Sequence, residues 1–183
     1  MNKVLLFVVA TPLLFTQCKK DVLDTNVPYF GLAKATVNGT PTTFNKVRGS
    51  FARDSFNEYG FSFRIYDGLI RKASLSIGPI NSTVIGRKRV SKSTYGSKIL
   101  TSNYFTLRDD GDVLCDIYNV YEPDSLNNFI EILEYNSQTK EIRGRFQITY
   151  LIDSTRVATI GRCSPTTPDT LRIRNAEFYT KLF

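Results

Sequence analysis

Alternation of large apolar and polar residues is the feature that most restricts how this chain can fold. Within residues 59–66, Tyr59, Phe61, Phe63 and Ile65 occupy every second position. A period of two puts such side chains on one face of a β-strand, whereas one face of a helix needs a period of 3.6. The segment therefore predicts a strand with one face in the core.

The same pattern recurs along the rest of the chain. After an alternating run over residues 33–37, Asn38-Gly39 is a strong hairpin signal, and the following Thr40-Pro41 predicts a loop longer than two residues. Further strands are predicted over residues 42–44, 73–77, 104–107, 113–121, 128–135, 142–152, 157–160, 171–174 and 176–182. No segment after Cys18 has apolar residues at a helical period. We therefore predict an all-β fold, either an antiparallel β-sandwich or a β-barrel.

Residues 81–103 are the least strand-like part of this pattern. They are rich in Ser, Thr, Gly and basic residues, and we expect a long mobile connection there. The densest positive stretch is Arg87-Lys88-Arg89, with Lys92 and Lys98 close by in the sequence. Two interpretations of it stay open: a solvated loop, or contact with anionic lipopolysaccharide or another polyanion.

The first 17 residues have the composition of a targeting segment. Lys3 supplies one positive charge, and the twelve residues 4–15 contain no ionisable side chain. Such a run suits a signal peptide and falls short of the roughly 18–20 apolar residues that cross a bilayer. An ordinary secretory signal with a chance cysteine and a short buried helix are the alternatives.

The segment ends in Leu14-Phe15-Thr16-Gln17-Cys18. These residues resemble the lipobox of bacterial lipoproteins, with Phe15 where leucine is usual and Gln17 where a small residue is commoner. The resemblance implies cleavage before Cys18, a diacylglycerol on its thiol and an acyl chain on the new amino group. The following Lys19-Lys20-Asp21 is similar to the charged start of many Gram-negative envelope lipoproteins.

We therefore expect three parts in the chain. Residues 1–17 are predicted to be the signal peptide, residues 18–28 a lipidated tether, and residues 29–183 a single all-β domain. Several acyl chains such as palmitate anchor a protein durably, whereas one chain alone is marginal. The expected location is the bacterial cell envelope, at the outer membrane, facing either the periplasm or the outside.

Cysteine usage depends on this assignment. If Cys18 carries lipid, Cys115 and Cys163 are left in an oxidising compartment, where a disulfide between them is possible. Two independent buried thiols are the alternative. Lys3 is the only charge in the removed segment, so the mature chain has 23 basic against 17 acidic side chains.

The absence of histidine restricts the chemistry of the chain. It removes the usual general base, every Ser-His-Asp or Cys-His system and the histidine-containing zinc sites. We therefore predict no catalytic residue, no metal ligand and no cofactor. Glycoside hydrolysis stays open because it needs only two carboxyl groups. The candidates are Asp109, Asp110, Asp112, Asp116, Glu131 and Glu134.

Neither group of these acids matches a complete site. Residues 109–112 are typical of a turn, and a weak calcium site is the alternative, although position 12 of the loop is Val120 rather than glutamate. Glu131 and Glu134 are expected on opposite faces of a strand, where they cannot act together.

Aromatic residues suggest a further kind of site. The chain has ten tyrosines, thirteen phenylalanines and no tryptophan. Tyr118 with Tyr121, or Tyr59 with Tyr66, could form a platform on which a sugar stacks. The alternative is core packing, because most of these residues alternate within predicted strands.

Strand and turn motifs along the whole mature chain resemble those of small Gram-negative lipoproteins of unknown function that contain one all-β domain. Residues 30–39 are similar to the Val-Asn-Gly opening strand and turn of that group. Ile130-Glu131-Ile132 is followed by residues 142–148, which are similar to its Gly-x-Phe strand. Residues 169–178 match its last strand, with Ala176 where the family usually has glycine. These are signatures of strands and turns, and they imply no catalytic residue.

The sequence thus predicts a non-catalytic, lipid-anchored envelope protein that acts as an interaction or ligand-binding module. The expected partners are the membrane, through the lipid, and a glycan or another envelope protein, with no nucleic acid. A carboxylate-dependent polysaccharide hydrolase and a lipocalin-like carrier of a small apolar ligand are the alternatives.

Overall fold

The computed structural model describes residues 30–52, 55–81, 85–92, 99–108, 111–162 and 167–183. The predicted signal peptide and the tether with Cys18 lie outside this range. So do Cys163, Lys98, Asp109 and Asp110.

Strands make up most of the described chain, as the alternation predicts. They are β1 (Gly31–Val37), β2 (Thr40–Ala52), β3 (Ser55–Asp67), β4 (Ile70–Asn81), β5 (Gly86–Arg89), β6 (Thr101–Arg108), β7 (Val113–Val120), β8 (Phe129–Tyr135), β9 (Glu141–Ile152) and β10 (Thr170–Lys181). A 3₁₀ turn, Glu122–Asp124, and one short helix, α1 (Ser154–Ile160), lie between strands.

Eight of these strands form a closed antiparallel barrel. Their order is β10-β1-β2-β3-β4-β6-β7-β9, and β9 pairs back onto β10 along its whole length. The alternation in the sequence is compatible with either a sandwich or a barrel. The pairing of β9 with β10 closes the sheet and shows that the fold is a barrel. Closure leaves these eight strands without a free edge, which removes the aggregation hazard of an open sheet.

Strands β8 and β5 extend the sheet beyond the barrel. The last residues of β9, Tyr150–Ile152, pair with β7, whereas its earlier residues pair with β8. Strand β5 then pairs with β8. Ile130 and Ile132 of β8 are fully buried, so this two-stranded extension adds its own apolar face to the core.

Aromatic rings fill the centre of the barrel. The centroids of Phe63 and Phe146 lie 4.7 Å apart, and those of Phe61 and Phe178 lie 4.8 Å apart. Each such pair contributes roughly 0.5–1.5 kcal/mol beyond the area that it buries. The alternating Phe61 and Phe63 of the sequence thus face inward, and Ser62 between them faces out.

The loop between β1 and β2 is shorter than the sequence indicated. Val37 pairs with Thr40, so Asn38-Gly39 is a two-residue turn, and both residues have positive φ, 48° and 84°. This is the type I′ geometry that matches the strand twist. Pro41 fits inside β2 because β3 pairs with β2 only from Lys46 onward, leaving that side of the backbone free of a ladder.

Residues 154–160 are helical, so the prediction of a strand over residues 157–160 was wrong. The Asp153 carboxylate accepts hydrogen bonds from the N–H groups of Thr155 and Arg156, at 3.0 and 3.1 Å. Gly161, with φ 77°, ends the helix. An N-cap aspartate and a C-terminal glycine are local signals that outweigh the strand preference of the β-branched residues between them.

Residues 81–103 are not one long connection. Strand β5 lies within them, and β6 already begins at Thr101. Arg87-Lys88-Arg89 therefore belongs to a strand, and its interpretation as a solvated loop was wrong. The two separate strands predicted over residues 171–174 and 176–182 are one strand, β10, interrupted by a bulge at which Asn175 has φ 51°.

Candidate binding face

Charged residues on the outer surface of β1, β10, β9, β8 and β5 form a ladder of alternating sign. Successive cross-strand partners in this ladder are Lys34, Glu177, Arg145, Glu131 and Arg87. The Glu131 carboxylate accepts from Arg145 at 2.8 Å and from Arg87 at 3.2 Å. Opposite charges across a ladder stabilise a sheet. We call these five residues the neutralised ladder because their signs alternate, and within it Glu131 forms ion pairs with Arg145 and Arg87.

The outer surface of β2, β3 and β4 has a different charge pattern. Four half-buried cations, Lys46, Arg48, Arg64 and Arg71, lie there, and we call them the basic face. None of the four forms an ion pair with an acidic residue of the described chain. All ion pairs within that range involve a residue in, or next to, β5 or β8–β10.

Two cations of the basic face lie directly opposite each other. Lys46 of β2 pairs in register with Arg64 of β3. Opposite residues of an antiparallel ladder have Cβ atoms about 5 Å apart, and like charges at that position are destabilising. The Lys46 ammonium lies over the ring of Tyr66, with Nζ 4.2 Å from the centroid. The same ammonium is 5.2 Å from the centroid of Phe30. Within the described chain neither cation forms an ion pair with an acid.

The guanidinium groups of the basic face keep donors available. Arg64 Nε donates to the hydroxyl of Ser62 at 3.2 Å. Arg48 Nε is buried and has no hydrogen-bond partner among the described residues. A guanidinium carries five N–H donors, so each arginine can still bind an anion through its remaining groups.

Small polar residues continue from the basic face across the next strands. The register aligns Arg48 of β2 with Ser62, Ser76, Asn103 and Asn119 on β3, β4, β6 and β7, and we call these last four residues the polar row. Ser62 faces outward because both of its neighbours in β3 are buried phenylalanines. The hydroxyl of Ser76 donates to Asn103 Oδ1 at 2.7 Å, which fixes the orientation of that amide.

A polar pocket lies at the far end of the polar row. It has a volume of about 260 Å³, and we call it the amide pocket; it is lined by Lys92, Thr101, Ser102, Asn103, Asn119 and Val120. The buried hydroxyl of Ser102 is 2.6 Å from the hydroxyl of Tyr150 and donates to the carbonyl of Ser76 at 2.5 Å. Burial raises the pKa of the Tyr150 phenol, so this group stays protonated.

Glu131 and Glu134 face the same side of the sheet, contrary to the expectation from strand alternation. A bulge between Ile132 and Glu134 shifts the register of β8 by one residue. Glu134 thereby pairs with Arg143, at 3.7 Å between Oε1 and Nη1, as Glu131 pairs with Arg145. The structure brings the two glutamates to one face but gives each of them an arginine partner.

The electrostatics of Glu131 suit an ion pair. The hydrogen bond from Arg145, with a smaller one from Arg87, lowers the pKa of its carboxyl. A general acid at neutral pH needs a raised pKa instead. Of the other candidate acids within the described range, Asp112 is exposed before β7, and Asp116 is buried in β7, with its N–H donating to the Thr106 hydroxyl at 3.1 Å.

The candidate tyrosines do not form exposed pairs. Tyr118 and Tyr59 are buried, and burial raises the pKa of each phenol to about 12. Tyr121 is exposed at the end of β7, and Tyr66 lies half-buried under Lys46. One member of each predicted pair therefore belongs to the core.

The predicted basic stretch and cysteine pair fall in separate places. Arg87 and Arg89 are exposed on β5, where they pair with Glu131 and Glu122.

Cys115 lies in β7 and is disulfide-bonded. The other two cysteines of the chain lie outside the described range, so the Cys115–Cys163 pairing stays a prediction, as does lipidation of Cys18.

The basic face and the polar row were not predicted from the sequence. A signal exists in part, because Lys46 and Arg48 alternate with buried Val47, and Arg64 alternates with Phe63. Their convergence depends on the β2–β3 register, which no local pattern specifies once a bulge is present.

Comparison of the chain with protein-family models, with curated proteins and with solved structures finds no match. No helix within the described ranges has the length and apolar character needed to cross a membrane. The assignment to envelope lipoproteins, which the sequence resemblance implies, stays a prediction.

Proposed function

We propose that this protein is a non-catalytic binding module, held at the bacterial outer membrane by lipid on Cys18, that binds an anionic ligand through its basic face. The observation that carries the proposal is the Lys46–Arg64 pair. These like charges oppose each other, and no described acid neutralises them. A bound anion would supply the missing counter-charge.

The composition of the basic face supports anion binding. Arginine binds carboxylate, phosphate or sulfate through two parallel hydrogen bonds, and lysine adds a point charge. All four residues are half-buried. Partial burial limits their mobility, so less conformational entropy is lost when a ligand binds.

The hydrolase and carrier alternatives stay predictions. The carboxyl groups with a resolved pKa shift, Asp124, Glu131 and Glu141, are all shifted downward, which favours structural pairing. The centre of the barrel is occupied by the rings of Phe61, Phe63, Phe146 and Phe178. Neither observation favours a second function.

Binding by the basic face is tested with the full chain, purified in detergent, and with inorganic polyphosphate as the probe. We expect Lys46→Gln and Arg64→Gln each to weaken binding about tenfold, in line with the roughly 1.5–3 kcal/mol of a charge-assisted hydrogen bond. Arg172→Gln is the matched control, because Arg172 is an exposed cation on β10 without an ion pair in the described chain. Equal weakening by all three variants would show that only net charge matters.

The anchoring part of the proposal has a separate test. Labelled fatty acid should be incorporated into the wild-type chain and absent from Cys18→Ala, and the wild-type label should fractionate with the outer membrane. Equal labelling of the two chains would disprove lipidation at Cys18. Because this test concerns residues distant from the basic face, its failure would leave the binding result unaffected.

A further inference from the structure

We infer that the anionic ligand is an acidic glycan, whose charged group binds the basic face and whose neighbouring sugars lie along the polar row toward the amide pocket. This inference rests on the proposed function. It concerns the chemical class of the anion, which we infer from the polar residues that lie next to the basic face.

The polar row extends the basic face in one direction only. Ser62, Ser76, Asn103 and Asn119 follow Arg48 on successive strands, at the inter-strand spacing of about 4.8 Å. Each of these side chains has both a donor and an acceptor. Sugar hydroxyls have the same double character, whereas the groups along a polyphosphate chain only accept.

The polar groups of the row are held in place before a ligand binds. The Ser76 hydroxyl donates a hydrogen bond to Asn103 Oδ1 and so fixes the orientation of the amide. Asn103 Nδ2 is left as a donor for a ligand. Asn119 Nδ2 is 3.4 Å from Asp153 Oδ2, so its Oδ1 stays an acceptor. The two opposed amides thus present one donor group and one acceptor group side by side.

The amide pocket can take a single sugar ring at the end of the row. Its volume of about 260 Å³ is below the 300–1,000 Å³ of drug-sized sites. Hydroxyl and amide groups line it, together with the exposed Lys92. Asn119, in the wall of this pocket, is four strand spacings from Arg48, or about 20 Å along the row. A cation in the pocket, in addition to those of the basic face, suits a glycan with acidic groups on more than one sugar.

Two other grooves of the described chain give weaker support for a ligand site. The groove of about 360 Å³ beside Leu32 and Leu133 lies over the neutralised ladder, and nothing in the structure shows what would cover it. The groove between α1 and the end of β9 contains an internal ion pair, Arg162 with Asp169. Among the described residues, only the polar row joins cations without an ion pair to a polar pocket.

The test compares acidic glycans with acids of other chemistry, using calorimetry on the full chain in detergent. The glycan probes are tetragalacturonate and a heparin-derived tetrasaccharide. The matched non-glycan probes are N-acetylated, C-amidated tetraglutamate and inorganic tetrapolyphosphate, and maltotetraose is the neutral control. We expect at least one acidic glycan to bind tenfold tighter than either non-glycan acid, and maltotetraose not to bind.

A variant of the polar row adds a second readout. Asn103→Leu replaces the amide by an apolar group with the same branching and should weaken glycan binding about tenfold, with tetraglutamate binding unchanged. Gln138→Leu, in the exposed loop before β9, is the control and should bind every probe as the wild type does.

The outcomes separate this inference from the proposed function. Equal affinity of the wild-type chain for glycan and non-glycan acids would overturn the glycan inference and leave anion binding intact. Binding of no acidic probe at all would overturn both. The comparison of probes on the wild-type chain needs no variant, so it stands even if Asn103→Leu fails to fold.

Discussion

Lys46 and Arg64 face each other across the β2–β3 ladder, on the outer surface of the barrel. On the opposite side of the same barrel, Arg145 lies between Glu131 and Glu177 in the ladder of alternating charge. The chain therefore pairs opposite charges in one half of its surface and juxtaposes like charges in the other. A contact that costs stability in the free protein is expected where a ligand compensates for it.

Charge reversal at Arg64 should separate stability from binding. Arg64→Glu creates a cross-strand ion pair with Lys46, so we expect the free energy of unfolding to rise by up to about 1 kcal/mol. Binding of anionic probes should be lost in the same variant. Urea denaturation of the full chain measures the first effect.

Arg145→Glu is the matched reversal on the neutralised side. It opposes the new carboxylate to Glu131 and Glu177, and we expect a lower unfolding free energy with anion binding retained. If both reversals destabilise the protein equally, the Lys46–Arg64 pair is not the unfavourable contact that its register indicates.

The fold was predictable where the pattern is local. Alternation located most strands, because a half-buried strand must place every second side chain in the core. The helix at residues 154–160 was missed because its seven residues are too few for a helical period, although Asp153 and Gly161 mark its ends. Barrel closure depends on β10, which pairs both with the preceding strand, β9, and with β1 at the other end of the described chain. The β1–β10 contact joins strands that are far apart in the sequence, and composition does not encode it.

The site was predictable to a smaller degree. Carboxylates and tyrosines were sensible candidates by residue type, but the structure engages Glu131 with arginines and buries Tyr118. The residues of the basic face form no motif in the sequence, because they come together only through the register between strands. One bulge, at Ile132/Glu134, was enough to reverse the expected faces of two glutamates.

Gly144 should tolerate no side chain. A Cβ atom there would lie 2.5 Å from Cζ of Phe178 and 2.6 Å from the carbonyl oxygen of Glu131. Gly144→Ala therefore forces the phenylalanine ring out of the barrel centre, and we expect about 1–3 kcal/mol of destabilisation. Phe178→Leu in the same chain should recover part of the loss, measured by urea denaturation. A loss that the second change does not reduce would place the conflict at the backbone of β8.

Asn38 connects the first hairpin to β10. Its side chain donates to the carbonyl of Thr170 at 3.1 Å and accepts from the N–H of Arg172 at 2.7 Å. Asn38→Gly loses these bonds but suits φ 48°, and should cost about 1 kcal/mol. Asn38→Ala also strains the backbone and should cost roughly 1 kcal/mol more. Equal unfolding free energies for the two variants would contradict the strain.

Asp124 should make stability depend on pH. Hydrogen bonds from Asn127 and Thr149, with Arg174 nearby, lower the pKa of its carboxyl. Since the unfolded chain then binds the proton more readily, the stabilisation is present above about pH 4 and is lost as pH falls through the folded pKa. The difference in unfolding free energy between wild type and Asp124→Asn should be about 1–3 kcal/mol at pH 6.

That difference should shrink toward pH 2.5, which a urea series at several pH values measures. Glu134→Gln is the control, because the Glu134 side chain is 69% exposed and its ion pair with Arg143 is long. We expect little change in stability for it at any pH. A pH-independent effect of Asp124→Asn would show that the lost hydrogen bonds matter and the ionised carboxylate does not.

Cys115 should be bonded to Cys163. Cys115, in β7, is disulfide-bonded. Lipid on Cys18 would leave Cys163 as its partner. A bridge that closes a loop of this length stabilises the fold by about 4 kcal/mol in the chain-entropy model. Peptide mapping without reductant should recover the two cysteines in one linked fragment, and reduction should lower the melting temperature. Two free thiols in the mature chain, or a fragment linking Cys115 to Cys18, would exclude the pair and, in the second case, lipidation of Cys18 as well.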